Sequence, residues 1–225
     1  LNLCAPELDF SIPKADGGFF VGPLIQRHRD EMACDREVAS CRDWLEQRDA
    51  RRPLVVCATG SILTLPGFTA RVVDASRGAP FDLLVAAGRR AKASALGQPL
   101  ANVRVMRFIP QLDALAHARL FICHGGIASI HEGLLAGVPL LVYSGGCMDE
   151  NGNAARIQFH GLGMSGRMGD EGSADIRARI DSLLSDEDVL HRVRAMGAVL
   201  ERYEREQLLE QRIDEVLAAG SSSSR

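Results

Sequence analysis

Residues 120–143 read LFICHGGIASIHEGLLAGVPLLVY. A short apolar run ends in a histidine and two glycines, a helical stretch follows, and a second apolar run closes the segment. The spacing predicts a strand over 119–124, a helix over 129–136 and a strand over 138–143. Neither apolar run alternates with polar residues. Continuous apolar runs separated by helices mark strands buried on both faces, as in a parallel sheet.

The same pattern extends outward in both directions. "LVVCAT" from Leu54 is a β-branched run, "GSILTLPG" a loop, and residues 68–77 a helix. "FDLLVAA" and "VRVMRF" give two more strands, "PQLDALAHA" a short helix, and a further helix is expected around 153–160. The fold class that follows is α/β, a Rossmann-like parallel sheet with helices on both faces. After "GLGMSGRM" the chain is expected to be entirely helical. "SADIRARIDSLL" and "SDEDVLHRVRAMGAVLERYE" each begin with a serine or acidic residue suited to an N-cap. Leu209, Ile213, Val216 and Leu217 form one apolar stripe on the last helix. We expect a lead-in and linker over 1–52, the Rossmann-like domain over 53–219, and a disordered tail over 220–225. The chain starts at Leu1 rather than methionine, so a piece of a longer protein is expected.

Composition narrows the partners. The 225 residues are 46% hydrophobic and 24% charged, with a net charge of −3. That balance suits a soluble globular protein and gives no electrostatic footprint for nucleic acid or an anionic membrane. No apolar run is long enough to cross a bilayer, and no signal peptide is evident. The six cysteines lack CxxC or Cys/His ligand spacing, so no metal site is expected and a reducing cytoplasm is.

In an open α/β sheet, ligands bind outside the carboxyl ends of the strands. The polar residues gather there: Gly60 and Ser61 after the first strand, Gly88 and Arg89 after the second, Phe108 to Gln111 after the third. His124 to Ser129 follow the fourth, and Ser144 to Asn153 the fifth. Gly125 and Gly126 let the backbone approach a ligand closely. The helix behind them offers free N–H groups and a positive dipole end, an anion site. The loop lacks the lysine of a Walker A motif and the spacing of GxGxxG. A diphosphate held by backbone N–H, Ser129 and His124 fits better. A second reading stands beside it: Ser129 and Glu132 form S-x-x-E, a capping box in which both side chains only satisfy the helix end. Asn153 could cap its own helix or touch a ligand. "DED" at Asp186–Asp188 imitates a metal-binding DxD but reads as a helix cap, while His117, His131 and Trp44 read as surface or packed residues.

Taken in order, "VVCATGSI", "FDLLVAAGRR", "NVRVMRFIPQLDAL", "LFICHGGIASIHEGLLAGVPLLVY" and "MDENGNAARIQFHGLG" resemble the carboxyl-terminal, donor-binding domain of family 1 glycosyltransferases. The resemblance spans roughly residues 17 to 217 and implies one half of a GT-B fold, with "FFVGPL" similar to the segment joining the halves. It implies a UDP-sugar or TDP-sugar substrate, no other cofactor, and an amino-terminal acceptor-binding domain as partner. Phe108 stands where the family usually has tryptophan stacked on the base, Ile109 would offer backbone groups to the base edge, and Gln111 an amide to base or ribose. Glu132 matches the glutamate on the ribose hydroxyls. His124, Gly125, Gly126, Ser129 and Ser61 match the diphosphate loops, and Asp149 and Glu150 the Asp-Gln pair on the transferred sugar. Glu150 in place of glutamine accepts hydrogen bonds but does not donate them while ionised. The implied reaction is metal-independent and inverting, with its general base in the amino-terminal domain and no catalytic residue in this chain. A donor-binding subunit of a two-chain transferase and a nucleotide-sugar epimerase remain alternatives at this point.

Overall fold

The computed structural model describes residues 3–10, 19–25, 35–60, 66–88 and 100–222. The apolar runs form six parallel strands: β1 (Leu54–Ala58), β2 (Asp82–Ala86), β3 (Val103–Met106), β4 (Leu120–Cys123), β5 (Leu140–Ser144) and β6 (Gly163–Arg167). They lie in the order β3-β2-β1-β4-β5-β6. Helices α2 (Pro66–Ala75) and α6 (Ser173–Ser185) pack together, as do α4 (Ile127–Leu135) and α7 (Glu187–Glu206). The other helices are α1 (Asp35–Gln47), α3 (Gln111–Ala116), α5 (Met148–Phe159) and α8 (Leu208–Ser222). Every residue of β1 and β4 is buried, because crossover helices cover a parallel sheet on both faces. Cys57 and Cys123 belong to this core as small hydrophobes, and burial pushes both thiols up to about 12.

Three expectations change. A sixth strand follows Leu162, inside the stretch "GLGMSGRM", to which no element was assigned. "GMSGR" carries no β-branched or large apolar run, so local propensity gives it no strand signal. It pairs as an edge because its glycines fit: a Cβ on Gly163 would lie 1.8 Å from the Leu140 carbonyl oxygen, and one on Gly166 2.2 Å from the Tyr143 ring. Next, α8 continues to Ser222, which places Gly220 to Ser222 in a helix rather than in a disordered tail. Finally, the expected lead-in contributes to the same core as the sheet through Cys4, Ala5, Leu8, Cys41 and Leu45. Glu7 fastens it to α7, accepting from Tyr203 Oη at 2.8 Å and Arg202 Nη2 at 2.7 Å. Trp44, half-buried on α1, packs against this core as expected.

Helices α6 and α7 start close to where the caps predicted. Asp186 Oδ1 accepts from Val189 N–H at 2.9 Å, so "DED" caps α7. For α6 the cap position is Gly172, one residue before Ser173, and Asp175 reaches back to accept its N–H at 3.0 Å. His131 is packed on the buried side of α4, 2% exposed, with Nε2 lacking a hydrogen-bond partner.

Burial lowers the His131 pKa to about 4, so between pH 6.5 and 4 the unfolded chain binds a proton that the folded chain refuses. Stability should therefore fall as pH drops through that window, by on the order of 3 kcal/mol for this group. Urea unfolding of His131→Leu should show a smaller acid-side loss than the parent. Gly163→Ala should cost about 2 kcal/mol or more, with β6 the first element to lose hydrogen-exchange protection; an unchanged urea midpoint would contradict the close approach to Leu140.

Candidate functional site

The strand order reverses direction between β1 and β4, where Ala58 pairs with Cys123. Successive crossovers leave in opposite directions here, so the loops part and open a crevice at the carboxyl ends. Gly60 comes from β1, at φ +87, and His124 and Gly125 come from β4. Ser61 and Arg89 lie outside the described residues.

The His124 ring fills the space between the two loops. A Cβ on Gly126 would stand 2.6 Å from its Nε2, and one on Gly60 3.2 Å from its Cε1. Its Nδ1 is buried without a hydrogen-bond partner, an unmet polar atom at the mouth of the crevice. Gly125 adopts φ +96, a region that disfavours any side chain. It is also hemmed in, since a Cβ there would meet Val142 Cγ1 at 2.9 Å and the Glu150 carbonyl at 3.1 Å.

Helix α4 begins at Ile127 with Gly126 as its N-cap and has no side-chain cap. The capping-box reading is therefore overturned. Ser129 sits two residues inside the helix, in its first turn, and is half-buried. Glu132 lies mid-helix, 3% exposed, with Oε2 accepting from Gln111 Nε2 at 2.6 Å. The helix starts earlier than expected because the glycines already supply the turn, leaving its first N–H groups without a side-chain acceptor. With the dipole end, they give the start of α4 a positive local potential beside His124.

Two further loops border the crevice. After β3, Phe108 is half-buried, and Ile109 is 3% exposed with its side chain in the core, which fixes the loop leading to Gln111 at the start of α3. After β5, α5 begins at Met148 rather than near 153, which puts Asp149 and Glu150 in its first turn. Asp149 is exposed. Glu150 is 6% exposed, and its Oε2 accepts from Gly145 N–H at 2.8 Å, bracing the loop between β5 and α5. Asn153 neither caps α5 nor faces solvent: it is 8% exposed, and Nδ2 donates to the Gly125 carbonyl at 2.9 Å.

The structure thus gathers His124, Gly125, Gly126, Ser129, Glu132 and Gln111 around one crevice, with Phe108 on one side and Asp149 and Glu150 on the other. Asn153 as the anchor of Gly125 escaped sequence reasoning, since nothing in its local pattern signals a partner 28 residues away. His117 is exposed at the end of α3, and His160 closes α5 with Nε2 3.0 Å from the Asp9 carbonyl. Among the described residues, no three His, Cys, Asp or Glu side chains come close enough to hold a metal ion. No helix there is long and apolar enough to cross a membrane.

Known proteins share both the sequence pattern and the fold. Residues 79–201 match the family model described as erythromycin biosynthesis protein CIII-like, C-terminal domain. Oleandomycin glycosyltransferase of Streptomyces antibioticus is 30% identical over 169 residues, covering 74% of this chain and 39% of that protein. An NDP-glycosyltransferase of Bacillus subtilis is 26% identical over 180 residues, covering 79% of this chain and 42% of that protein. The chain thus spans about two fifths of the length of these curated relatives. Among solved structures, the calicheamicin glycosyltransferase superposes with a TM-score of 0.70 at 25% identity, over 92% of this chain and 49% of that one. With more than half of its length inside the matched model, the chain belongs to the erythromycin biosynthesis protein CIII-like C-terminal domain family, and its fold is similar to one half of the calicheamicin glycosyltransferase.

Proposed function

We propose that this chain is the donor-binding half of a metal-independent, inverting glycosyltransferase and seats a nucleoside diphosphate sugar in the crevice between β1 and β4. The observation that carries the reading is the Gln111–Glu132 hydrogen bond of 2.6 Å. It joins the first residue of α3 to α4, placing an amide and a carboxylate near the uncapped start of α4. A carboxylate repels a phosphate but accepts from hydroxyls. Glu132 therefore takes the ribose, and the diphosphate lies on the α4 N–H groups, Ser129 and His124. Phe108 stacks on the base, a contact worth about 1–3 kcal/mol. Ile109 offers main-chain groups to the base edge, and Ser61 joins the diphosphate from the loop after β1. Asp149, exposed at the first turn of α5, faces the transferred sugar. Glu150 keeps Gly145 in place while doing so.

Transfer leaves a nucleoside diphosphate whose charge grows as the glycosidic bond breaks. Fixed N–H dipoles stabilise that charge without having to reorient. The general base on the acceptor hydroxyl needs hydrogen-bond reach to it, and we assign it to an acceptor-binding domain outside this chain. That domain is the partner this reading requires, and the acceptor follows from it.

Isothermal titration with UDP, TDP and GDP should give saturable binding of UDP or TDP in the absence of a divalent metal. No heat at millimolar UDP and TDP would sink the reading. Glu132→Ala should weaken UDP and uridine by the same factor, at least tenfold, since both carry the ribose. A 2′,3′-dideoxy nucleotide should bind parent and variant alike. Loss of stability without loss of binding would return Glu132 to a scaffold role.

A further inference from the structure

A cavity of about 550 Å3 lies between the first turn of α2 and the carboxyl ends of β5 and β6. Among the described residues, its wall contains none of those assigned above to the nucleotide. The volume falls within the range of small-molecule sites, about 300–1,000 Å3. Its apolar side is Phe68, which leans on Tyr143 with ring centroids 4.6 Å apart, and Met168. Its polar side holds Arg71, Arg167 and Asn151, and among the described residues no acidic side chain lines it.

The charge on Arg71 is unbalanced. Its Nη2 donates to the Met168 carbonyl, its guanidinium carbon lies 5.9 Å from the Phe68 ring centroid, and its Nε is buried without a hydrogen-bond partner. Among the described residues no carboxylate forms an ion pair with it. Among the described residues, the Arg167 guanidinium forms one ion pair, with Asp170 at 3.8 Å, exposed on both sides. The acidic residue after β6 that could have approached, Glu171, is taken up by Arg179 and Tyr143. Ser144 Oγ donates to Asn151 Oδ1 at 2.6 Å, which leaves the Asn151 amide nitrogen as another donor. The first turn of α2 adds the positive end of a helix dipole. At the rim, a Cβ on Gly146 or Gly169 would meet nothing within 4 Å, so the mouth stays open.

A buried donor without an acceptor is costly, and an incoming anion would relieve it. We propose that this cavity is a second binding site, separate from the nucleotide crevice, for a small molecule that carries an anionic head on an apolar body. The head sits on Arg71, Arg167 and Asn151, and the body lies against Phe68 and Met168. Guanidinium groups bind carboxylate and phosphate alike through paired N–H donors, so the head group belongs to either class.

Titration of the chain with benzoate and phenyl phosphate, followed by ligand-observed NMR and calorimetry, tests the site. At least one should bind saturably in the millimolar range or tighter, and which one binds names the head group. Neutral benzyl alcohol should bind at least tenfold more weakly. Arg71→Gln should weaken the anion at least tenfold and leave UDP affinity unchanged. Arg167→Gln, at an exposed side chain, and Gly169→Leu, which fills the mouth, test the same site without disturbing the core; each should weaken the anion severalfold. Binding of neither anion, equal binding of benzyl alcohol, unaltered affinity in all three variants, or displacement of the anion by UDP would overturn the proposal. Absence of UDP binding bears on the donor reading alone and leaves these comparisons intact.

Discussion

The pairing of β1 with β4 is the constraint on which the molecule depends. Both strands are buried on both faces, and their register sets Ala58 beside Cys123. Because the pairing is parallel, each strand needs a crossover, and every loop that leaves a strand emerges on one rim. Crossovers diverge only at this pair, so the crevice exists because of the strand order and not because of any single loop. The proposed nucleotide seat inherits its position from that order.

Within the crevice, the shape of the main chain matters more than any one polar group. Gly125 is held from three sides: φ +96 excludes a side chain, Val142 and Glu150 leave no room for a Cβ, and Asn153 fastens its carbonyl. Such bracing keeps the N–H groups of the α4 start aimed at one place, which is what a site relying on backbone dipoles requires. Gln111 and Glu132 do the same for the neighbouring loop. The α5 residues thus serve two loops at once, Asn153 steadying the one after β4 and Glu150 the one after β5.

Much of the fold was legible because burial writes itself into composition. The runs at 54–58, 83–86, 120–123 and 140–143 are continuous apolar segments, which two-sided burial demands. Strand β6 was not legible: "GMSGR" forms a strand because its glycines tolerate the Leu140 carbonyl and the Tyr143 ring. The S-x-x-E pattern misled for a related reason. A capping box is a local arrangement, but α4 starts at Ile127, and the Glu132 carboxylate is engaged by Gln111 from the start of α3. Asp186, by contrast, caps α7 as its local sequence suggested, since its partner is only three residues away.

The sequence by itself determined the α/β class, five of the six strands, the glycine turn at 125–126 and the residues that meet at the strand ends, together with the resemblance that links them. These follow from hydrophobic runs, turn chemistry and motif order, all of which act over short stretches of chain. Only the tertiary structure decided the edge strand, the start of α4, the anchoring role of Asn153, the bracing by Glu150 and the open cavity at Arg71. Each of these turns on contact between residues far apart in sequence, where a missing Cβ or an unmet hydrogen bond has meaning only once the partner is in place.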